Sequence, residues 1–179
     1  MNLTTKRLVL IPAAKKHVDA VYKLIKEDNK ELSRWTTIQY PITKEKIRKF
    51  YHHTKKEKDH QTFIILEKTT KEVLGSIGLK KNIANNSAGI GYWIGKQFRN
   101  KGYITEAVKR VIAYAFQKKK VVRVEIHAMG ENKRSLRVIK KAGLKYEGTL
   151  RQAVRNGLKQ YGDSAVYSIL KREWKKNSQ

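Results

Sequence analysis

The sequence predicts an α/β fold with a mixed β-sheet, and three observations carry this prediction. Between residues 89 and 116 the spacing of apolar residues changes from every second residue, as in a strand, to the spacing of an amphipathic helix. An alternating segment at residues 122–128 follows, and two strands joined by a helical crossover should be parallel. Two further strand-like segments flank Asn156 and Gly157, a pair typical of an antiparallel hairpin.

The remaining elements follow from the same spacings and from the residues that begin and end them. Thr43 is placed to cap a helix whose apolar face would hold Ile47, Phe50 and Tyr51, and Gly143 is placed to end another helix. The expected elements, in chain order, are a strand at 3–11, a helix at 14–28, a loop at 33–41, the helix after residue 43, strands at 62–66 and 73–79, the central strand, turn and helix, the strand at 122–128, a helix at 132–142, and strands at 144–154 and 161–170. Residues 1–179 then form one domain of ordinary size with the order β-α-α-β-β-β-α-β-α-β-β.

Composition narrows the class of protein. The chain has no cysteine, which excludes disulfides, thiolate metal sites and a cysteine nucleophile, and which suits the reducing cytoplasm. We expect no metal cofactor. The apolar run near the N-terminus is too short for a signal peptide or a membrane span, so no membrane partner is expected.

The net charge of +26, from 41 lysines and arginines against 15 acidic residues, is extreme. It permits a nucleic-acid-binding surface or an association with the ribosome. However, the lysines are spread through every predicted element, and the sequence shows no aromatic-rich RNA-binding motif. A solvated basic surface is the simpler interpretation. In either case the electrostatic field attracts anions and repels polycations.

The turn between the central strand and the central helix has the features of an anion site. It consists of Arg99, Asn100, Lys101 and Gly102, and the first N–H groups of the helix have no partner within the helix. The helix dipole is positive here, glycine permits a close approach of the backbone, and the two cations add charge. The alternative is an ordinary tight turn in which Thr105 merely decorates the helix start.

The segment from Arg99 to Ala107, with the strand before it, resembles the pyrophosphate-binding loop of the GNAT acetyltransferases. The closest branch is that of the ribosomal-protein N-terminal acetyltransferases, and the order of elements agrees along essentially the whole chain. The resemblance implies acetyl-CoA as co-substrate, lying in a gap where the two central parallel strands splay apart. One departure is Ile104, where the family has a small residue, and its larger side chain could crowd the pyrophosphate. The implied cofactor-binding residues are Tyr92, Trp93, Ile94, Arg99, Asn100, Lys101, Gly102, Tyr103, Ile104, Thr105, Asn132 and Ser135.

A second motif, Asn132 to Ser135, resembles the Asn-x-x-Ser start of the next helix in this family. The resemblance implies that Asn132 binds the pantetheine arm and that Ser135 lies near the thioester sulfur. The alternative is that Asn132 is an ordinary N-cap and Ser135 is simply exposed. Many relatives carry a tyrosine acid where this chain has Ile139, so Ser135 is the candidate catalytic donor to the leaving thiolate.

The base that takes the proton of the attacking amine is less evident. Glu125 is our catalytic candidate because it points the same way as His127 on the strand facing the gap. The alternative is a solvent-side row of Arg123, Glu125 and His127. Glu147 and Asp163 are weaker candidates. An α-amine, with a pKa of about 7.7–8.0, needs less help from a base than lysine at about 10.4.

We therefore expect a cytoplasmic, acetyl-CoA-dependent N-acetyltransferase that acts on the N-terminal α-amine of a protein, with ribosomal proteins implied by the resemblance. Trp35 and Tyr40 are expected to contribute to acceptor specificity, and backbone amides near Gly89 and Gly91 to polarise the thioester carbonyl. Two alternatives stay open, an acetyltransferase for a small-molecule amine and a CoA- or RNA-binding protein with little catalysis. A homo-oligomer is compatible with each of them.

Overall fold

The computed structural model describes residues 1–176, which form an eight-stranded mixed sheet and six α-helices. The strands are β1 Leu3–Thr4, β2 Leu8–Pro12, β3 His60–Glu67, β4 Val73–Asn82, β5 Ser87–Ile94, β6 Arg123–Met129, β7 Lys145–Arg155 and β8 Tyr161–Leu170. The helices are α1 Val18–Lys26, α2 Asn29–Trp35, α3 Lys44–Lys56, α4 Tyr103–Gln117, α5 Lys133–Lys141 and α6 Lys171–Lys176. The predicted fold class is therefore confirmed. Within residues 1–176, no helix is long and apolar enough to cross a membrane.

The sheet opens at its centre. Its strand order is β1-β2-β3-β4-β5-β6-β8-β7, and β5 and β6 are parallel whereas the other neighbours are antiparallel. The parallel pairing joins residues 87–89 to residues 123–125 and goes no further, although β5 continues to Ile94 and β6 to Met129. The C-terminal halves of the two central strands thus diverge and leave a gap between them, as the resemblance implied.

Two apolar clusters place the helices on opposite faces of the sheet. One contains the buried face of α4 together with Ile139 of α5 and Ile90 of β5. The other joins α1, α2 and α3 to the opposite face through Ile64 and the partly buried Trp93. Because side chains alternate along a strand, Tyr92 projects on the α4–α5 face and its neighbour Trp93 on the α1–α3 face, although Trp93 packs against both clusters.

Thr43 caps α3 as predicted, and its Oγ accepts a hydrogen bond of 3.2 Å from the amide of Lys46. Ile47 and Tyr51 are buried as expected, but Phe50 is 49% exposed and packs edge-on against His60 instead of entering the core. A residue at a helical apolar position can thus face a cavity as easily as a core.

Two predicted boundaries were wrong, and one helix was missed. The strand expected at 3–11 is two strands, because Thr5 and Leu8 bond to each other across a turn. The loop expected at 33–41 begins only after α2, a short helix anchored by buried Leu32 and by a 2.9 Å bond from the indole of Trp35 to Glu31. The terminal helix α6 was not predicted.

Candidate active site

A cavity of about 1120 Å³ occupies the gap between β5 and β6 and extends across both faces of the sheet. Its wall includes the turn before α4, the first turn of α5, the diverging ends of the two strands, and side chains of α1, α2 and α3. The sequence-predicted residues Tyr92, Trp93, Ile94, Arg99, Asn100, Gly102, Tyr103, Ile104, Thr105, Glu125, Asn132 and Ser135 all line it. The exception is Lys101, whose side chain lies outside this wall with its ammonium 5.9 Å from the ring of Phe98.

The turn before α4 presents backbone donors to the cavity. Gly102 is the N-cap with φ +80°, and Asn100 has φ +62°, so both lie in the left-handed region. The first helical bond runs from the amide of Glu106 to the carbonyl of Gly102. The amides of Tyr103, Ile104 and the next residue therefore have no acceptor within the helix, and they lie at its positive end.

Arg7 holds this turn in place through hydrogen bonds to Glu106 and Lys101. Its backbone amide and guanidinium donate to the two carboxylate oxygens of Glu106 at 2.9 and 2.7 Å, and the guanidinium also donates to the carbonyl of Lys101 at 2.9 Å. Burial raises the pKa of Glu106, but hydrogen bonds from Thr5 and Arg7 outweigh that effect and lower it overall. The loop conformation is thus fixed by residues about a hundred positions away.

The guanidinium of Arg99, a wall residue expected to add positive charge to the anion site, is paired within the protein. It forms an ion pair with Asp28, and both side chains are largely buried, at 15% and 12% exposure. The pair joins the turn to Asp28, the N-cap of α2. A cation committed to a buried carboxylate orients the loop more than it adds free positive charge to the cavity.

The side chain of Ile104 packs mainly into the core. It is only 6% exposed and belongs to the cluster beneath α4, while the residue still contributes to the cavity wall. The bulk of the side chain is thus directed into the core, which argues against the expected crowding.

The start of α5 brings the second motif to the same cavity. The side-chain oxygen of Asn132 accepts a 3.1 Å bond from the amide of Ser135, so Asn132 is an N-cap as well as a wall residue. Ile139, one turn further on, is fully buried and cannot supply an acid. Ser135 is the hydroxyl that α5 presents to the gap.

Sequence reasoning missed the partner of Ser135. The Tyr92 Oη lies 2.8 Å from the Ser135 Oγ, across the gap between β5 and α5. Burial raises the pKa of Tyr92 to about 12, although the bond to Ser135 acts in the opposite direction. The parity of β5 could have indicated this contact, since it puts Tyr92 on the face that α5 covers.

The two glutamates considered as general bases differ in their position relative to the cavity. Glu125 lines the cavity, with a carboxylate oxygen 3.3 Å from the Arg123 guanidinium and the other 3.6 Å from the His127 Nε2. Glu125 thus forms a row with Arg123 and His127 and also lies in the cavity wall, and its role as the base stays a prediction. Glu147 lies outside the wall, where bonds from Arg123 and Ser168 lower its pKa to about 2, which makes it a poor base.

Asp163 also lies outside the cavity wall, with a carboxylate oxygen accepting a 2.9 Å bond from the amide of Gln152.

On the α1–α3 face of the sheet, β5 borders the cavity with Gly89 and Gly91, so no side chain of these residues fills the space; we call this part of the wall the floor. A Cβ added at Gly89 or at Gly91 would meet no heavy atom within 4 Å beyond the chain neighbours. Of the two aromatic residues expected to contribute to acceptor specificity, Trp35 lies in the surrounding wall, whereas Tyr40 lies outside it and is 51% exposed. His60 is a wall residue that the sequence analysis did not identify.

The comparisons with known proteins agree with this geometry. Residues 7–145 match the acetyltransferase (GNAT) domain family. The chain is 27% identical to YnaD of Bacillus subtilis, an uncharacterized N-acetyltransferase, over 174 residues that cover 97% of this chain and 99% of YnaD. It is 43% identical over 91 residues to YdaF of Bacillus subtilis, provisionally assigned as a ribosomal N-acetyltransferase, with 50% and 49% of the two chains covered.

The fold is also that of a solved enzyme. The structure of RimL, a ribosomal L7/L12 α-N-protein acetyltransferase in complex with coenzyme A, superposes with a TM-score of 0.86 at 21% identity. The match covers 95% of this chain and 98% of RimL. Since the family match alone spans more than half of the sequence, the chain belongs to the GNAT acetyltransferases.

Proposed function

We propose that the protein transfers the acetyl group of acetyl-CoA to a primary amine, and that the amine is the N-terminal α-amine of a protein. The observation that carries the proposal is the cavity between the splayed strands, where the donor end of α4 and the hydroxyl of Ser135 face one space. RimL, which has the same fold, is described in complex with coenzyme A.

The α4 turn is the proposed site of the pyrophosphate. The free amides of Tyr103, Ile104 and Thr105 offer hydrogen bonds, the helix dipole favours an anion, and Gly102 leaves room for a close approach. Asn100 lies in the same wall. These are mainly backbone donors, so the site does not depend on the charge that Arg99 commits to Asp28.

The thioester would then extend into the gap toward α5. Asn132, Tyr92, Trp93 and Ile94 line this path, and Ser135 lies at its far side. In the reaction the amine nitrogen bonds to the thioester carbonyl carbon, the carbon–sulfur bond breaks, and the electron pair moves to sulfur. Ser135 would donate a hydrogen bond to that thiolate, and the main chain of β5 would polarise the carbonyl.

The acceptor would approach from the α1–α3 face, where glycines leave the floor open. Glu125 and His127 lie in the wall on that side and are the proposed recipients of the amine proton, directly or through water. An α-amine suits such a site because an appreciable fraction is already neutral at pH 7. Positioning would then provide much of the rate enhancement.

Charge favours an acceptor that is not a polycation. The described cavity wall holds a single carboxylate, that of Glu125, against seven cationic side chains, namely Lys46, Lys49, Lys80, Arg99, Arg134, Arg137 and Lys141. Carboxylates outside the wall form ion pairs with four of the seven, Lys49, Lys80, Arg99 and Arg134, so the excess positive charge comes mainly from Lys46, Arg137 and Lys141. Such a wall repels polyamines and aminoglycosides and tolerates an acidic peptide. The names of YdaF and RimL support ribosomal proteins as the acceptor class.

One peptide tests the proposal. It carries a free N-terminus, acidic residues at the next positions and one internal lysine, and it is incubated with the full chain and acetyl-CoA. We expect coenzyme A release and, by tandem mass spectrometry, acetylation of the α-amine. A matched peptide with a blocked N-terminus should be inert. Acetylation of the lysine alone would refute the acceptor assignment, and release confined to small amines would replace it with a small-molecule substrate.

A further inference from the structure

The hydrogen bond between Tyr92 and Ser135 joins two elements on opposite sides of the proposed reaction gap. The Tyr92 Oη is 2.8 Å from the Ser135 Oγ and 3.5 Å from the carbonyl oxygen of the same residue. Tyr92 lies on the part of β5 beyond its last pairing with β6, where the strand lines the cavity. The Tyr92 hydroxyl is therefore next to the Ser135 hydroxyl, which is the proposed hydrogen-bond donor to the leaving thiolate.

The donor direction in this pair matters for catalysis. A serine hydroxyl has one proton and two lone pairs, so it can accept one hydrogen bond while it donates another. If Ser135 donated to Tyr92, its proton would be occupied and unable to reach the sulfur. If Tyr92 donates, the proton of Ser135 is free to point elsewhere.

The chemistry of the two hydroxyl groups favours Tyr92 as the donor. A phenol, with an ordinary pKa of about 10, is more acidic than an alkyl hydroxyl and donates more strongly. Burial raises the pKa of Tyr92 to about 12, so the phenol keeps its proton throughout the pH range of an assay. The backbone amide of Ser135 is already bonded to the cap oxygen of Asn132, which fixes the residue in place.

We propose that Tyr92 is a positioning residue of the transfer reaction, which donates a hydrogen bond to the Ser135 Oγ and thereby turns the Ser135 proton toward the departing sulfur. This inference rests on the proposed function. As the carbon–sulfur bond breaks, the electron pair passes to sulfur, and the thiolate accepts the hydrogen bond from Ser135 while Ser135 accepts that from Tyr92. Both protons stay on their oxygens, and water later protonates the thiolate.

A chain of two hydroxyl groups compensates for the absence of an acid on α5. The hydrocarbon side chain of Ile139 is fully buried and cannot donate. Successive hydrogen bonds polarise one another in a partly desolvated site, so the Ser135 hydroxyl becomes a better donor when Tyr92 bonds to it. The effect of Tyr92 must therefore pass through Ser135, and this dependence can be measured.

The test is a double-mutant cycle with a matched control. Tyr92→Phe, Ser135→Ala and the double variant are compared with Tyr114→Phe, which loses a 2.6 Å bond to Gln61 from the same core but outside the cavity wall. For each we would measure single-turnover thiol release with the peptide acceptor, coenzyme A affinity by calorimetry, and thermal unfolding. Tyr92→Leu removes the same donor with a different shape, and it provides a second variant if phenylalanine packs poorly.

We expect Tyr92→Phe to lower the single-turnover rate about three- to tenfold while the coenzyme A Kd stays within about twofold. In the Ser135→Ala background, the same change should have almost no further effect. Tyr114→Phe should keep the wild-type rate.

A wild-type rate in folded Tyr92→Phe, or an equal loss in both backgrounds, would overturn the inference while leaving the proposed function intact. No thiol release from the wild-type protein would overturn both.

Discussion

The turn at Gly102 offers the sharpest test of where the co-substrate binds. With φ +80°, this residue occupies a conformation that costs most other residues about 1–2 kcal/mol and that Asn and Asp tolerate best. A Cβ here would lie 3.3 Å from an Nη of Arg7, which is the flexible end of a long side chain. Gly102→Asn and Gly102→Asp therefore carry nearly the same conformational cost, and they differ mainly in one negative charge.

The negative charge introduced by Gly102→Asp determines how much the affinity for coenzyme A should fall. Two unit charges 4 Å apart interact by about 1 kcal/mol in bulk water and by about 4 kcal/mol at an effective dielectric constant of about 20. Arg7 would screen part of the repulsion between the introduced carboxylate and a pyrophosphate, although it is already bonded to Glu106 and to the carbonyl of Lys101. We therefore expect coenzyme A to bind at least about tenfold more weakly to Gly102→Asp than to Gly102→Asn, a difference of about 1.4 kcal/mol.

Calorimetric titration with coenzyme A measures this difference directly, and repeating it with dephosphorylated pantetheine separates charge from shape. Pantetheine lacks the phosphates, so the two variants should bind it equally. Thermal unfolding should show that both variants fold, and the midpoint of Gly102→Asp should be no lower than that of Gly102→Asn, because a carboxylate beside Arg7 at a helix N-terminus is stabilising. Equal coenzyme A affinity in two folded variants would place the pyrophosphate somewhere other than the start of α4.

Three further predictions concern catalysis, the acceptor and stability. Ser135→Ala should lower kcat about tenfold or more with little change in coenzyme A affinity, because the proposed hydrogen bond to the leaving sulfur would form mainly in the transition state. Single-turnover kinetics at the wild-type rate would remove Ser135 from the proposed mechanism. Gly91→Val suits a strand and fills the open floor, so steady-state kinetics should reveal a raised acceptor KM and an unchanged coenzyme A Kd; an unchanged KM would mean that the acceptor lies elsewhere. Bonds from Arg123 and Ser168 lower the folded-state pKa of Glu147 from 4.5 to about 2, so the stabilisation exists above about pH 4.5 and is lost as the pH falls toward 2. The difference in melting temperature between wild type and Glu147→Gln should shrink over that interval, and a difference independent of pH would contradict the assignment.

The sequence predicted the centre of the fold because its signals there are local. Residues 89–116 contain both a twofold and a helical spacing, and the N-cap of α3 follows from Thr43 alone. By contrast, α2 has seven residues, too few to repeat an apolar pattern, and it depends on the burial of Leu32 and on the contact between Trp35 and Glu31. Such a helix is stabilised by its neighbours, which the sequence does not display.

The difference between local signals and long-range contacts also determines which features of the site could be predicted. The positions of Gly102, Asn132 and Ser135 follow from motifs of a few residues. The ion pair of Arg99 joins residues 71 positions apart, and the bond of Tyr92 to Ser135 spans 43 positions. Contacts between residues so far apart in the sequence depend on how the helices pack against the sheet. A local motif identifies a residue of the site without revealing which of its groups remain free to bind.

The splay of the two central strands connects these observations to the proposed chemistry. On the α4–α5 face, the gap meets the free amides of α4 and the Tyr92–Ser135 pair, which are donors suited to phosphate and to a developing thiolate. On the α1–α3 face, it meets the open floor at Gly91 and the Glu125–His127 pair, which suit an amine and its proton. A thioester in this gap would present its sulfur to one face and its carbonyl carbon to the other. The amine can then attack from the side opposite the donors, so the acceptor need not displace the group that stabilises the leaving thiolate.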